Sequence, residues 1–299
     1  MPSLAEDLQT QMSAFENFRC ITERVLNYLP EVINEHIEYA DYVICSSTTA
    51  GTRKPIRPYK ADLFIKNANH FNNLYNECSK ILNESSKDNK NREMKKSSVI
   101  DKVMYTIQQS IGIGLDLLVE PNSARKHVGN MFEELMRTVL TKMHIPLKKV
   151  VLSIPYETED GEKYYKCETD VIISPYEAVK SNAQSIDPKE IVISLKTTTK
   201  DRMPKIFIDK ILLEKFLGHP VRMVGISQND VQRKEDKDSI KVSYTFVSNL
   251  FMVYTKFLTE LEGYYYLDIP KRALESPFNR HIFPFSKFIL EDVWGLLDT

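Results

Sequence analysis

Hydrophobic positions divide the chain into a first part with helical spacing and a second in which short apolar runs alternate with helical stripes. In the first part Leu4, Leu8, Phe15, Phe18, Ile21, Val25 and Leu29 recur at three- and four-residue steps. This predicts helices over residues 3 to about 45, broken at Pro30. Ser46 to Pro58 collects turn formers, two prolines and the cations Arg53, Lys54 and Arg57, and reads as a loop. Leu63 to Leu82 returns to the helical period. Asn83 to Ser98, the most polar tract of the chain, reads as a solvated loop between subdomains or as an arm that contacts a nucleic-acid backbone.

From Val128 the pattern sharpens. Val128, Met131, Phe132, Leu135, Met136, Val139 and Leu140 keep one apolar stripe, so a helix here must pack on another layer. Lys149 to Ile154 then reads as a strand, Thr158 to Gly161 as a hairpin turn through its Asp-Gly pair, and Tyr164 to Ser174 as the returning strand. Glu190 to Thr197 and Arg222 to Gln228 read as strands, separated by a helix over Pro204 to Leu217 with proline in its first turn. Ile240 to Val247 is expected to add a strand and Leu250 to Leu261 a closing helix. This order predicts an α/β fold, a mixed central β-sheet flanked by helices. The expected division is a helical N-terminal region, residues 1–120, and an α/β core, residues 121–299. The aromatic end of that core, Tyr264 to Tyr266 with Phe278, Phe283, Phe285 and Trp294, suits packing or a subunit interface.

Composition narrows the class without choosing a chemistry. The chain has 299 residues, 42% apolar and 27% charged, enough to bury one large core or two modest ones. No apolar run approaches the roughly 18 residues of a membrane span, and Glu6 and Asp7 stand where a secretion signal would be cationic and then apolar. A cytoplasmic protein with no membrane partner is expected. Cys20, Cys45, Cys78 and Cys167 form no CxxC and no Cys-His ligand spacing, so they are expected as reduced thiols. The histidines show no pairing at ligand spacing, and neither a Gly-rich phosphate loop nor a Gly-x-Ser-x-Gly elbow occurs. Kinase, NTPase and serine-hydrolase readings therefore lack their required parts. With a net charge of -1, any polyanion must be held by local clusters of Lys and Arg.

The candidate chemistry concentrates between Glu168 and Arg202. Asp170 ends one strand-like segment and Lys196 ends a second, Ile191 to Lys196. Adjacent strands would bring a carboxylate and an ammonium to one rim, as a magnesium-dependent phosphodiesterase requires. Val171, Ile172 and Ile173 imply a strand buried on both faces, where a carboxylate needs a partner. That partner is either a divalent cation or Lys196 alone, in an ion pair without catalysis. One carboxylate is too few to hold magnesium, and the position two before Lys196 is Ser194. On the following helix Asp209 shares a stripe with Leu212, Leu213 and Phe216, whereas Glu214 lies about 140° around beside Lys210, which favours Asp209 as the second ligand. The preceding helix offers Glu133 and Glu134 as ligands or as surface charges. Arg125 and Lys126, just before them, could contact phosphates or be solvated.

Residues 125 to 230 resemble the PD-(D/E)XK restriction endonucleases, in particular the EcoRII/SsoII/PspGI-like group that cuts sites containing CC and GG. The group's pattern is Gly-x-x-x-Glu on a helix, Asp on a strand, Ser/Val-x-Lys, then Thr-Ser/Thr-x-Lys/Arg-Asp/Glu-Arg and a displaced acid on the next helix. This chain has Gly129 and Glu133, Asp170, Ser194-Leu195-Lys196, Thr197-Thr198-Thr199-Lys200-Asp201-Arg202, and Asp209 in place of the group's usual Glu. The resemblance implies a PD-(D/E)XK nuclease core acting as a type II site-specific deoxyribonuclease with Mg2+. Asp170, Asp209 and Glu133 would be metal ligands, and Lys196 would orient the attacking water. It also implies that Lys200, Asp201 and Arg202 enter the major groove, where Lys and Arg donate to guanine and Asp accepts from cytosine.

A homodimer on double-stranded DNA follows, each subunit reading half of a palindrome such as CCNGG or CCWGG. A cognate methyltransferase is expected in the host but not as a direct partner. The alternatives are a repair or recombination nuclease of the same fold, against which the triplet argues, and a non-catalytic DNA-binding protein, against which Asp170 and Lys196 argue. Residues 1–120 carry no such resemblance and are expected to frame the DNA, shape the dimer, or read flanking bases through Arg53, Lys54 and Arg57.

Overall fold

The structure, a computed structural model, describes residues 3–49, 52–85, 94–199, 202–236 and 239–298. Helices α1 (Leu4–Asp7) and α2 (Phe15–Val32) open the chain. Strands β1 (Glu35–Tyr39), β2 (Tyr42–Thr49), β3 (Thr52–Pro55) and β4 (Tyr59–Lys60) follow, then helices α3 (Ala68–Glu84), α4 (Met94–Leu118) and α5 (Pro121–Lys142). The second half begins with β5 (Leu147–Lys148), β6 (Val151–Thr158), β7 (Gly161–Glu168), β8 (Val171–Ile173), β9 (Ile191–Thr198) and α6 (Met203–Leu217). It continues through β10 (Arg222–Asn229), β11 (Val231–Asp236), β12 (Ser239–Tyr244), α7 (Ser248–Phe257), β13 (Gly263–Tyr266), β14 (Ile282–Pro284), α8 (Phe285–Lys287) and α9 (Val293–Asp298).

The central sheet has six strands in the order β14-β13-β10-β9-β8-β5. From β9 to β14 the neighbours are parallel, whereas β8 is antiparallel to β9 and β5 to β8. Alternation along the strands sends side chains into two cores. Val171, Ile173, Ile193, Leu195, Val224 and Ile226 meet the N-terminal helices. Ile172, Val192, Met223, Tyr264 and Tyr266 meet Ile206 and Phe207 of α6 and Phe251 of α7. A sheet covered on both faces explains why β8 and β9 read as nearly continuous apolar runs. In α4 the stretch from Val103 to Ile111 is covered on every side, as befits a helix at the centre of its layer. The larger core runs from Leu8 to Leu297 and joins residues 1–120 to the sheet. Among the described residues no helix is long and apolar enough to cross a membrane.

Several local expectations need correction. Residues 1–120 are not wholly helical, because β1 to β4 form a four-stranded antiparallel sheet over the stretch expected as helix end and loop. Tyr42-Val43-Ile44-Cys45 is a β-forming run, and Ala40, at φ 53°, turns the chain between paired Tyr39 and Tyr42. Helix α2 passes Pro30 and ends at Val32, and Met94 to Ser98, expected in a loop, opens α4. The predicted strand from Tyr164 to Ser174 is two: β7 pairs with β6 in a separate ribbon, and β8 joins the central sheet. Strand β12 pairs with β11 outside that sheet. The aromatic run Tyr264 to Tyr266 is strand β13, almost completely buried.

Candidate active site

The register that aligns Val171 with Ile193 places Asp170, just before β8, against the end of the apolar part of β9. Its Oδ2 accepts the Leu195 N–H at 2.7 Å, the Lys196 Nζ at 2.9 Å and, more weakly, the Ser194 hydroxyl at 3.4 Å. The Lys196 ammonium also donates to the Leu195 carbonyl at 2.9 Å. Both side chains are mostly covered, with 19% of Asp170 and 14% of Lys196 exposed. A carboxylate in so apolar a strand is tolerable because three donors meet one oxygen. Among the described residues no group donates to Oδ1, and Asp170 lines both clefts described next.

Two helices bring further acids to these clefts. Glu133 of α5 lines a cleft of about 270 Å³ with Gly129, Asp170, Lys196, Arg202 and Lys205. Burial, then the negative charge of Asp170, raises its carboxyl above the ordinary glutamate range, partly offset by Lys149 at 3.7 Å. Glu134 faces elsewhere: it is buried and accepts the Met12 N–H at 2.8 Å, holding the N-terminal segment on α5. Asp209 of α6 lines a second cleft, about 320 Å³, with Asp170, Ser194, Lys196 and Lys205. Both of its oxygens lie 2.7 Å from Lys205 Nζ, one turn earlier. Burial pushes the Lys205 ammonium down, but the Asp209 pair outweighs it and the group is raised overall. Glu214 lines neither cleft and instead accepts the Val221 N–H at 3.2 Å. Its neighbour Lys210 is buried against Glu260 and Glu262.

Among the described residues no three His, Cys, Asp or Glu side chains converge as a ready metal cluster. Asp170 lines both clefts, with Glu133 beside it in one and Asp209 in the other, so the three acids come from three elements without meeting. The donors are nonetheless of the kind magnesium takes: carboxylates and a backbone carbonyl, with a cationic Nζ already lying between Asp170 Oδ2 and the Leu195 oxygen. The donor chemistry fits a hard divalent cation, and loading would require Asp209 to part from Lys205 and Glu133 from Lys149.

A third and larger cleft, about 530 Å³, adjoins these and shares Arg202 and Thr197 with the Glu133 cleft. Arg202, the residue before α6, is exposed and lines both, whereas Lys200 and Asp201 lie outside the described residues. Arg125 is exposed and lines the large cleft; Lys126 is exposed and lines none of these clefts. Of the three N-terminal cations, Arg53 pairs with Glu35 and Lys54 donates to the Leu117 carbonyl. Arg57 does line the cleft, clamped by Asp116 through two bonds of 2.9 Å. The reading from sequence missed Gln228, Asn229, Gln232 and Arg233, which line the same cleft and carry no motif. It also missed the Lys205–Asp209 pair, whose four-residue spacing was a usable signal.

This fold is shared with a solved restriction endonuclease. Over 99% of its length the chain matches the solved structure of the type IIP restriction endonuclease Kpn2I, with a TM-score of 0.72 at 20% sequence identity and 97% of that chain covered. A restriction endonuclease PspGI–substrate DNA complex matches 76% of this chain and 93% of its own, with a TM-score of 0.44 at 14% identity. No family model matches the chain, and no curated protein matches it by sequence.

Proposed function

We propose that the chain is a homodimeric, magnesium-dependent type II restriction endonuclease that cuts double-stranded DNA at a short palindrome containing CC and GG, such as CCNGG or CCWGG. The observation that carries this reading is the Asp170–Lys196 pair at the β8–β9 edge, flanked by Glu133 and Asp209, within a fold shared with Kpn2I along the whole chain. Asp170, Asp209 and Glu133 are the residues that would hold the metal. A bound divalent cation supplies a polarised phosphoryl oxygen and a more acidic water. Lys196, anchored by Asp170 and the Leu195 carbonyl, orients the attacking water and stabilises negative charge as the phosphorus becomes five-coordinate. Asp170 keeps that ammonium aimed. Arg202, with Lys200 and Asp201, reads the G·C pairs, and Arg125 and Lys126 hold phosphates.

Incubation of the purified protein with phage-sized DNA in magnesium, followed by sequencing of every cut end, tests the reading. Discrete ends sharing a palindrome with CC and GG are expected. Random or structure-dependent nicking would replace the sequence-specific reading with a repair nuclease, and intact DNA would remove catalysis.

A further inference from the structure

The 530 Å³ cleft contains more than arginines. It opens where the parallel strands β9 and β10 end together, with Thr198 in register with Asn229. Gln228 and Asn229 close β10 and are only 2% and 7% exposed, yet among the described residues their side-chain amides make no hydrogen bond to protein. Neither amide is among the fully enclosed polar atoms that lack a partner, so both are reached from the cleft and are open to a ligand there. Gln232, at the start of β11, donates from Nε2 to Thr198 Oγ1 at 3.4 Å and keeps its carbonyl oxygen for another donor. Arg125 and Arg202, at the same cleft, make no ion pair among the described residues. Three neutral amides with cations beside them suit the edge of a base pair next to its phosphates better than a phosphate alone.

We propose that Gln228, Asn229 and Gln232 are specificity-determining residues that read an A·T pair flanking the G·C pairs in each half-site. An amide presents a donor and an acceptor side by side, the complement of adenine N6 and N7 in the major groove. Arg202 lines both this cleft and the cleft of Asp170, so the amides share a cleft with one residue proposed to read G·C, and that residue also lines the cleft of the candidate catalytic pair. The assignment rests on the nuclease reading above for the identity of the ligand as duplex DNA.

Selection of bound duplexes from a randomised library, with the full-length protein in EDTA and again in calcium, tests recognition without requiring cleavage. The wild type is expected to enrich a motif with A·T beside the G·C pairs. Gln232→Ala and Asn229→Ala should make that position degenerate, leave the G·C pairs intact and weaken binding to the original motif by roughly 5- to 150-fold. Gln232→Glu, nearly the same shape, should move the preference toward C·G, because a carboxylate only accepts. An enriched motif lacking A·T at that position, or one unchanged in all three variants, overturns the proposal, as does failure to enrich any motif. Thermal unfolding of each variant separates loss of fold from loss of reading. A protein that enriches the motif but leaves DNA intact in magnesium would sink the nuclease reading while the library still judges the amides.

Discussion

Asp230 supplies a sharp test of how the cleft wall is held. It follows β10, is 3% exposed, and its Oδ1 has no hydrogen-bond partner. Burial, then the charge of nearby Asp268, raises its carboxyl from 3.8 to about 7. Asp268 is better provided, accepting from Tyr42 at 2.8 Å and Lys60 at 3.1 Å. The unfolded chain loses the Asp230 proton near pH 4, whereas the folded chain keeps it to about 7. Between those values the native state holds the extra proton, so stability is full below the unfolded value and falls as pH rises to about 7. At about 1.4 kcal/mol per pH unit the loss reaches about 4 kcal/mol.

Asp230→Asn holds a neutral group at every pH. Its advantage over the wild type should therefore grow by about 3 kcal/mol between pH 5 and pH 8. Any fixed cost of the new amide cancels in that comparison, and release of Asp268 from its neighbour's charge acts in the same direction. Urea unfolding of both proteins at the two pH values measures the difference. Parallel stability across that range would refute the argument.

Lys196→Ala should cut DNA at least 10²-fold more slowly while binding it nearly as well, since the ammonium acts on charge that develops only during reaction; a variant cutting at the native rate ends the assignment. Because Glu133 is raised, cleavage should fall on the acidic side at a pH above its ordinary 4.5, and the residual activity of Glu133→Gln should lack that limb. An unchanged limb in the variant removes Glu133 from the site. Asp209→Asn should slow cleavage by a factor of ten or more, on the order of one lost ligand contact, whereas Glu214→Gln should cut normally. Rate constants in the reverse order would return the role to Glu214.

Much of the site was legible because strand chemistry is local. Asp170 and Lys196 could be paired in advance, since two buried runs ending in opposite charges have few ways to satisfy them, and helical phase anticipated that Asp209 rather than Glu214 would line the cleft. The N-terminal sheet was not legible, because Leu29 and its predecessors set a helical period that hid the β-forming run at Tyr42 to Cys45. Helical phase also does not show that Lys210 is buried, because its partners, Glu260 and Glu262, lie about fifty residues away.

What the sequence determined by itself was the succession of α5, the β6–β7 hairpin, β9, α6 and β10, the layered α/β class and the acids worth testing, for these depend on periodicity and on the cost of burying charge. Tertiary structure decided which of two adjacent glutamates faces the cleft. Glu133 turns toward Asp170, while Glu134 is taken up by the Met12 N–H. It also decided that Arg57, Arg125, Arg202 and the amides of β10 and β11 share one cleft. Residues so far apart along the chain are brought together by pairing between strands and packing between layers, and no local pattern records those distances.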